Sequence, residues 1–188
     1  MIKSLLRKFI IFMAVLSTGL FAGFTSFFAL TFGPTLKELP PSTFLEFFRY
    51  DREAFDNNVL YLYLVMAMST GAWLLIWLRR YRMVDFYFVL GAFLCVLQEI
   101  FLSYLGHYRI NFILRSFAEN RVISSEIYGL REEWAYFMNF HFATNFLGFC
   151  LVLAALRRAG SGRDAPRNNF LAPTHHKKTR EVITGFGH

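Results

Sequence analysis

Residues 134–156, WAYFMNFHFATNFLGFCLVLAAL, decide the fold of this chain. The stretch contains no Lys, Arg, Asp or Glu. It is long enough to cross a bilayer, because a helix rises about 1.5 Å per residue and about 20 apolar residues span the hydrocarbon core. Glu132 and Glu133 precede it, and Arg157 and Arg158 follow it, which are the charges that suit the two ends of a helix. The stretch therefore predicts a transmembrane helix.

The composition of the whole chain also favours a membrane protein. Of its 188 residues, 55% are hydrophobic and 24 are Phe. Such a composition is typical of membrane proteins rather than soluble domains. The net charge of +7 would indicate a nucleic-acid surface in a soluble protein, but here the basic residues flank apolar runs, so we expect no nucleic-acid partner. Cys95 and Cys150 lie in apolar segments and are interpreted as buried hydrophobes rather than a disulfide or a metal site.

Three further apolar runs complete an all-α bundle of four transmembrane helices. The predicted spans cover residues 9–32, 59–78, 84–106 and 134–156. The first run is longer than the 7–15 apolar residues of a typical signal-peptide core, which favours a retained helix over a cleaved signal. Gly33-Pro34 is predicted to end this helix. Residues 1–158 are predicted to form one membrane domain, and residues 159–188 a disordered basic cytoplasmic tail.

The two longer connections are each predicted to contain a short helix. In the first, Pro40-Pro41 precede a capping box from Thr43 to Glu46. In the second, apolar residues recur at the helical period, at Ile110, Ile113, Leu114 and Phe117. Both are interpreted as amphipathic helices at the membrane surface, and for the first the alternative is a loop helix packed on the bundle.

The distribution of basic residues predicts the orientation. Of the 20 Lys and Arg residues, thirteen belong to the two termini and the turn at residues 79–82, and seven belong to the two longer connections. Because the side richer in basic residues is cytoplasmic, both termini are predicted to be inside, in a bacterial inner (plasma) membrane. Aromatic residues at both ends of the second span resemble interfacial belts; they are Tyr61, Tyr63, Trp73 and Trp77.

Polar residues within the spans mark a candidate site. Glu99 lies eight residues before His107, where the third span ends, and His141 lies eight residues after Glu133, where the fourth begins. Both are therefore about 12 Å below the same boundary and could face each other. Glu99, Ser103 and His107 share one helical face. The same depth in the first two spans selects Phe24, Thr25, Val65 and Met66.

Three interpretations of this layer remain open. Glu99 and His141 could act as a general acid–base pair. His141, His107 and Glu99 could bind a metal, or one histidine could bind haem. Alternatively, a buried Glu–His ion pair holds two helices in register, with His141 as a structural histidine.

Two stretches carry motifs of a known family. Residues 18–49, TGLFAGFTSFFALTFGPTLKELPPSTFLEFFR, contain a Gly-x-x-x-Gly helix, a Gly-Pro exit and a short helix before a basic residue. Residues 110–115 and 130–141 add an Asn after the third span, a Trp that opens the fourth and a polar residue two turns later. These features resemble the anthrone-oxygenase-like family, a domain of unknown function. The matching positions are Gly19, Gly23, Pro34, Phe44, Arg49, Asn111, Trp134 and His141.

The resemblance implies a four-helix membrane bundle over residues 9–156. It also implies a small membrane oxygenase, because some members oxidise anthrones to anthraquinones with molecular oxygen and without a bound cofactor. The expected partners are the lipid bilayer, an apolar aromatic molecule and a second copy in a homo-oligomer. The candidate catalytic residues are His141, Glu99 and His107, and the candidate substrate-binding residues are Asn111, Trp134, Asn145 and Met66. The alternative is a non-catalytic bundle that serves as a partner subunit or a small-molecule binder.

Overall fold

A computed structural model describes residues 2–50 and 52–160, and within them the structure is helical. The α-helices are α1 Ile2–Phe27, α2 Gly33–Glu38, α3 Pro41–Tyr50, α4 Arg52–Trp77, α5 Val84–Leu102, α6 Tyr108–Asn120 and α7 Glu126–Gly160. Two π-helical turns, Phe28–Phe32 and Ser103–His107, join α1 to α2 and α5 to α6. Almost all of the predicted tail at residues 159–188 lies outside the described residues.

Four helical segments are long and apolar enough to cross a membrane, namely Ser4–Glu38, Val59–Trp77, Val84–Asn120 and Glu126–Ala159. The spanning helices form a ring, in which α1 contacts α4 and α7, and α5 contacts the same two helices. Since α7 is uninterrupted through residues 134–156, the stretch that defined the sequence prediction is a single helix. The predicted all-α bundle of four transmembrane helices is confirmed, and so are the short helices in the two longer connections.

The prediction that Gly33-Pro34 ends the first helix is wrong. The helix continues to Glu38 through the π-turn, in which the Gly33 amide donates to the carbonyl of Phe28 five residues earlier. Pro34 then occupies the first turn of α2, where a backbone N–H would lack a helical partner in any case. A Cβ on Gly33 would lie 2.7 Å from the Phe28 carbonyl oxygen, so the turn requires glycine at this position.

The third span likewise continues past its predicted end at Gly106. The π-turn Ser103–His107 leads directly into α6. That helix ends at Asn120, and the next residue, Arg121, adopts the left-handed conformation with φ 52°. Single π-turns within α-helices occur frequently at functional sites, because the extra residue rotates the following side chains. Here the turn ends on His107, whose side chain is buried.

Helices α2, α3 and α6 form a cap over one end of the bundle, together with the first turns of α7. Buried apolar residues hold the cap together, among them Leu36, Phe44, Phe48, Ile110, Leu114 and Ile127. The buried Arg131 donates from Nη1 to the Lys37 carbonyl oxygen at 2.6 Å, which satisfies a carbonyl at the end of α2. Helices α3 and α6 therefore both pack on the end of the bundle.

The other end of the bundle corrects the prediction of an aromatic belt at Trp73 and Trp77. Both indoles are buried in a core with Ala14, Val89 and Val152, rather than placed at an interface. They lie there because Met66, Thr70, Trp73 and Trp77 follow the helical period along the buried face of α4. At the same end, Arg158 Nε donates to the buried Asp85 at 2.6 Å, and this ion pair links the start of α5 to the end of α7.

Candidate functional site

A cavity of about 380 Å³ lies between the bundle and the cap. Its walls come from every described helix except α2, and most of the lining side chains are apolar or aromatic. The aromatic part includes Phe21, Phe24, Phe28, Phe48 and Trp134. A concave, mainly apolar space with a few polar groups is the usual form of a small-molecule site, and this volume lies within the ordinary range for one.

Three of the polar lining residues form a continuous hydrogen-bonded chain. His141 Nδ1 lies 2.6 Å from Glu99 Oε1, and His141 Nε2 lies 2.9 Å from His107 Nδ1. All three side chains are buried. The chain connects α5, α7 and the π-turn, so it links the two halves of the long third span through the fourth.

A second branch reaches Glu99 from α4 and the π-turn. The Tyr63 hydroxyl donates to Glu99 Oε1 at 2.9 Å, and the Ser103 hydroxyl is hydrogen bonded to Tyr63. Because Tyr63 uses its proton on the carboxylate, the Ser103 hydroxyl is the donor in the second bond. Glu99 Oε2 is buried and makes no hydrogen bond within the described part of the chain.

Hydrogen-bond chemistry fixes the histidine tautomers when Glu99 is ionised and both histidines are neutral. A carboxylate only accepts, so His141 donates from Nδ1 and its Nε2 accepts from His107 Nδ1–H. This arrangement leaves His107 Nε2 with an unshared electron pair. The His107 ring lines the cavity and packs edge-on against the indole of Trp134, with ring centroids 5.4 Å apart. The end of the chain is therefore a basic nitrogen on a residue of the cavity wall.

A further polar pair lines the cavity beside His107. Trp134 Nε1 donates to Asn111 Oδ1 at 3.2 Å. Asn111 follows His107 by one helical turn, and both residues line the cavity. The Trp134 indole also packs against the ring of Phe48 on α3, so the pair is held between the cap and the bundle.

Five of the seven residues selected from the sequence line the cavity: Glu99, His107, Asn111, Trp134 and His141. The other two, Met66 and Asn145, are not among the residues that line the cavity. Met66 packs against Phe21 and Val96, and Asn145 donates to the carbonyl oxygen of His141 in its own helix.

Tyr63 is the residue that sequence reasoning missed in this layer. The depth count from Val59 selects Met66, whereas Tyr63, one turn earlier on α4, is the residue that contacts Glu99. The tyrosine was interpreted as interfacial, whereas its hydroxyl binds Glu99. The signal that was available is its helical spacing to Met66 and Thr70, which continues the buried face of α4.

The cavity meets the molecular surface between the start of α4 and the junction of α5 with α6. Three lining residues there are well exposed: Leu60 by 54%, Tyr104 by 74% and Tyr108 by 62%. The rings of Tyr104 and Tyr108 stack with centroids 6.3 Å apart. Because Phe101 and Leu105 beside them are also exposed, this mouth lies on an apolar surface.

Within the described residues, His, Cys, Asp and Glu side chains form no group of three that could hold a metal ion. The two histidines of the cavity instead direct ring nitrogens at each other.

Comparison of the chain with protein-family models, with curated proteins and with solved structures found no match. Helix bundles carry many unrelated activities, so the fold alone does not indicate what this protein does. The function has to be inferred from the cavity and from the groups that line it.

Proposed function

We propose that this integral membrane protein binds an apolar aromatic molecule in the cavity and that His107 removes a proton from it. The observation that carries the proposal is the buried chain from Glu99 through His141 to His107, which ends at an aromatic-lined cavity. A base oriented by a second group and placed beside a substrate cavity is the arrangement that general base catalysis needs.

The reaction class that fits best is oxygenation of an anthrone-type substrate. His107 Nε2 takes a proton from the ring CH2 group, and the electron pair of the broken C–H bond is delocalised into the ring ketone as an enolate. Molecular oxygen accepts electrons from the enolate and bonds to that carbon as a peroxide. Loss of the second C–H proton with cleavage of the O–O bond gives the quinone and one water. The resemblance of residues 18–49 and 130–141 to the anthrone-oxygenase-like family supports this choice.

Glu99 and His141 act in this proposal as positioning residues. Glu99 holds the His141 ring in the tautomer that accepts from His107, and the negative charge of the carboxylate stabilises the imidazolium that forms when His107 takes up a proton. Tyr63 donates to the same carboxylate oxygen, Oε1, and helps to fix its position. The chain thus keeps the charged carboxylate away from the substrate, with two imidazole rings between them.

The second candidate function is a non-catalytic small-molecule binder. The aromatic walls of the cavity support it, because such walls bind a planar ring without any chemistry. In that function the Glu99–His141 pair holds α5 and α7 in register.

The test measures turnover of an anthrone in purified, detergent-solubilised protein, by the appearance of the quinone absorbance and by oxygen uptake. His107→Asn should lower kcat by about 100-fold or more, which is the usual contribution of a general base. Asn139→Ala is the matched control, because Asn139 is exposed on α7 and does not line the cavity. An absorption spectrum and metal analysis of the same sample test for bound haem or metal.

The two functions give different results in that assay. Saturable binding of the anthrone without oxygen uptake favours the binder. Turnover that is unchanged in His107→Asn overturns the assignment of His107 as the base.

The distribution of charge supports a location in a bacterial inner membrane with both termini in the cytoplasm. The seven basic residues of the two longer connections would then lie outside, and with them the cap formed by α2, α3 and α6. The cavity would lie in the outer half of the bilayer, where its apolar mouth meets lipid.

A further inference from the structure

The amide of Asn111 has a defined orientation. An indole N–H only donates, so the atom that receives the hydrogen bond from Trp134 must be the amide oxygen of Asn111. The amide NH2 group therefore points away from Trp134. Asn111 is half-buried and lines the cavity, and within the described chain its NH2 group makes no hydrogen bond.

Asn111 lies one helical turn from His107, which carries the basic nitrogen. The two residues are four positions apart across the start of α6, and side chains at this spacing stand side by side, with Cβ atoms about 5–6 Å apart. Two neighbouring residues of the cavity wall thus carry one hydrogen-bond donor and one proton acceptor, and most of the other lining side chains are apolar or aromatic.

We infer that Asn111 Nδ2 donates a hydrogen bond to a carbonyl oxygen of the ligand, so the preferred ligand class is a planar aromatic ketone rather than an aromatic hydrocarbon. This inference deepens the proposed function, and only the proton transfer to His107 rests on that function. In an apolar cavity, a ligand without the carbonyl would leave the Asn111 NH2 group without a partner.

The same contact would assist the proposed reaction. When a proton leaves the ring carbon, negative charge develops on the ketone oxygen as the enolate forms. A donor that is already fixed by Trp134 meets this charge without reorganisation, which is the arrangement that stabilises oxyanions in enzymes. Trp134 acts here as a positioning residue for Asn111.

The experiment compares two tricyclic ligands of the same shape, xanthone with a carbonyl and xanthene without one. Binding to the purified protein is measured without turnover, by quenching of tryptophan fluorescence. Asn111→Asp is the informative variant, because it keeps an acceptor for Trp134 and replaces only the NH2 donor. Asn111→Leu is the second variant, and Asn139→Asp is the matched control on an exposed face.

We expect the wild-type preference for xanthone over xanthene to fall by about tenfold in both Asn111 variants, the equivalent of one hydrogen bond. Xanthene affinity should stay within about twofold, because partition into detergent and the aromatic contacts are unchanged. A wild-type protein with equal affinity for both ligands would overturn the inference. So would retention of the preference in Asn111→Leu, which has no hydrogen-bond donor in its side chain.

The result is independent of the proposed base catalysis. If the preference depends on Asn111 but no anthrone turnover occurs, the ketone site stands and the oxygenase proposal fails. If turnover depends on His107 but the xanthone preference does not depend on Asn111, the oxygenase proposal stands and the ketone site fails.

Discussion

His141 Nδ1 lies 2.6 Å from Glu99 Oε1, and the two side chains are only 5% and 1% exposed. The pair bridges α7 and α5, the two helices of the bundle with the most extensive mutual packing. Removal of one partner from such a buried pair leaves the other with an unsatisfied polar group in a medium of low polarity. The contact therefore couples the stability of the bundle to the chemistry of the cavity.

The first prediction is that Glu99 and His141 are energetically coupled. His141→Leu and Glu99→Leu should each lower the free energy of unfolding by roughly 3–5 kcal/mol if the surviving partner stays charged. The double variant should lose clearly less than the sum of the two, because no unpaired partner is left between them. The measurement is unfolding of the four proteins in detergent. Glu99→Leu with Asp85→Asn is the control, since those residues lie about 21 Å apart along α5 and should be additive.

A second prediction concerns the π-turn at Gly33. Gly33→Ala would bring a methyl group to 2.7 Å from the Phe28 carbonyl oxygen, so the turn must deform, at a cost of roughly 1–3 kcal/mol in unfolding free energy. Because Phe28 lines the cavity, affinity for aromatic ligands should fall as well. Gly23→Ala is the control, because a Cβ there meets nothing within 4 Å. Equal stabilities of the two variants would show that the π-turn is not constrained in this way.

The mouth of the cavity gives a third prediction. Leu60→Trp should narrow the opening and slow the association of an aromatic ligand several-fold, with a smaller effect on its equilibrium affinity. Association is measured by stopped-flow fluorescence in detergent. Leu64→Trp is the matched control, because Leu64 is an exposed leucine one turn further along α4 that does not line the cavity. An unchanged association rate in Leu60→Trp would place the route of access elsewhere.

The fourth prediction is the orientation in the membrane. In a variant with Cys95 and Cys150 replaced by Ser, a cysteine introduced at Glu119 should react with a membrane-impermeant thiol reagent on intact cells. A cysteine introduced at Arg163 should react only after lysis. The reason is the excess of basic residues on the side that carries the termini. The reverse labelling pattern would show the opposite orientation, in which the cavity opens in the inner half of the bilayer.

The sequence by itself determined the four spans. The length and apolarity of a run such as residues 134–156 are local properties, and a bilayer requires that each such run satisfy its backbone hydrogen bonds as a helix. The sequence also placed Glu99 and His141 in one layer, because the rise per residue is constant and both positions were counted from the same boundary. Their contact in the structure agrees with that estimate.

Only the tertiary structure decided where the long helices end and which side chains meet. Gly33-Pro34 and Gly106 resemble helix ends in the sequence, but the π-turns carry both helices onward because the cap buries the continuation. The rotation of α4 brought Tyr63 to Glu99 and buried Trp73, and the π-turn placed His107 within 2.9 Å of His141. These contacts depend on how each helix is rotated and packed against its neighbours, and a one-dimensional hydropathy pattern fixes the crossing of the membrane without fixing that rotation.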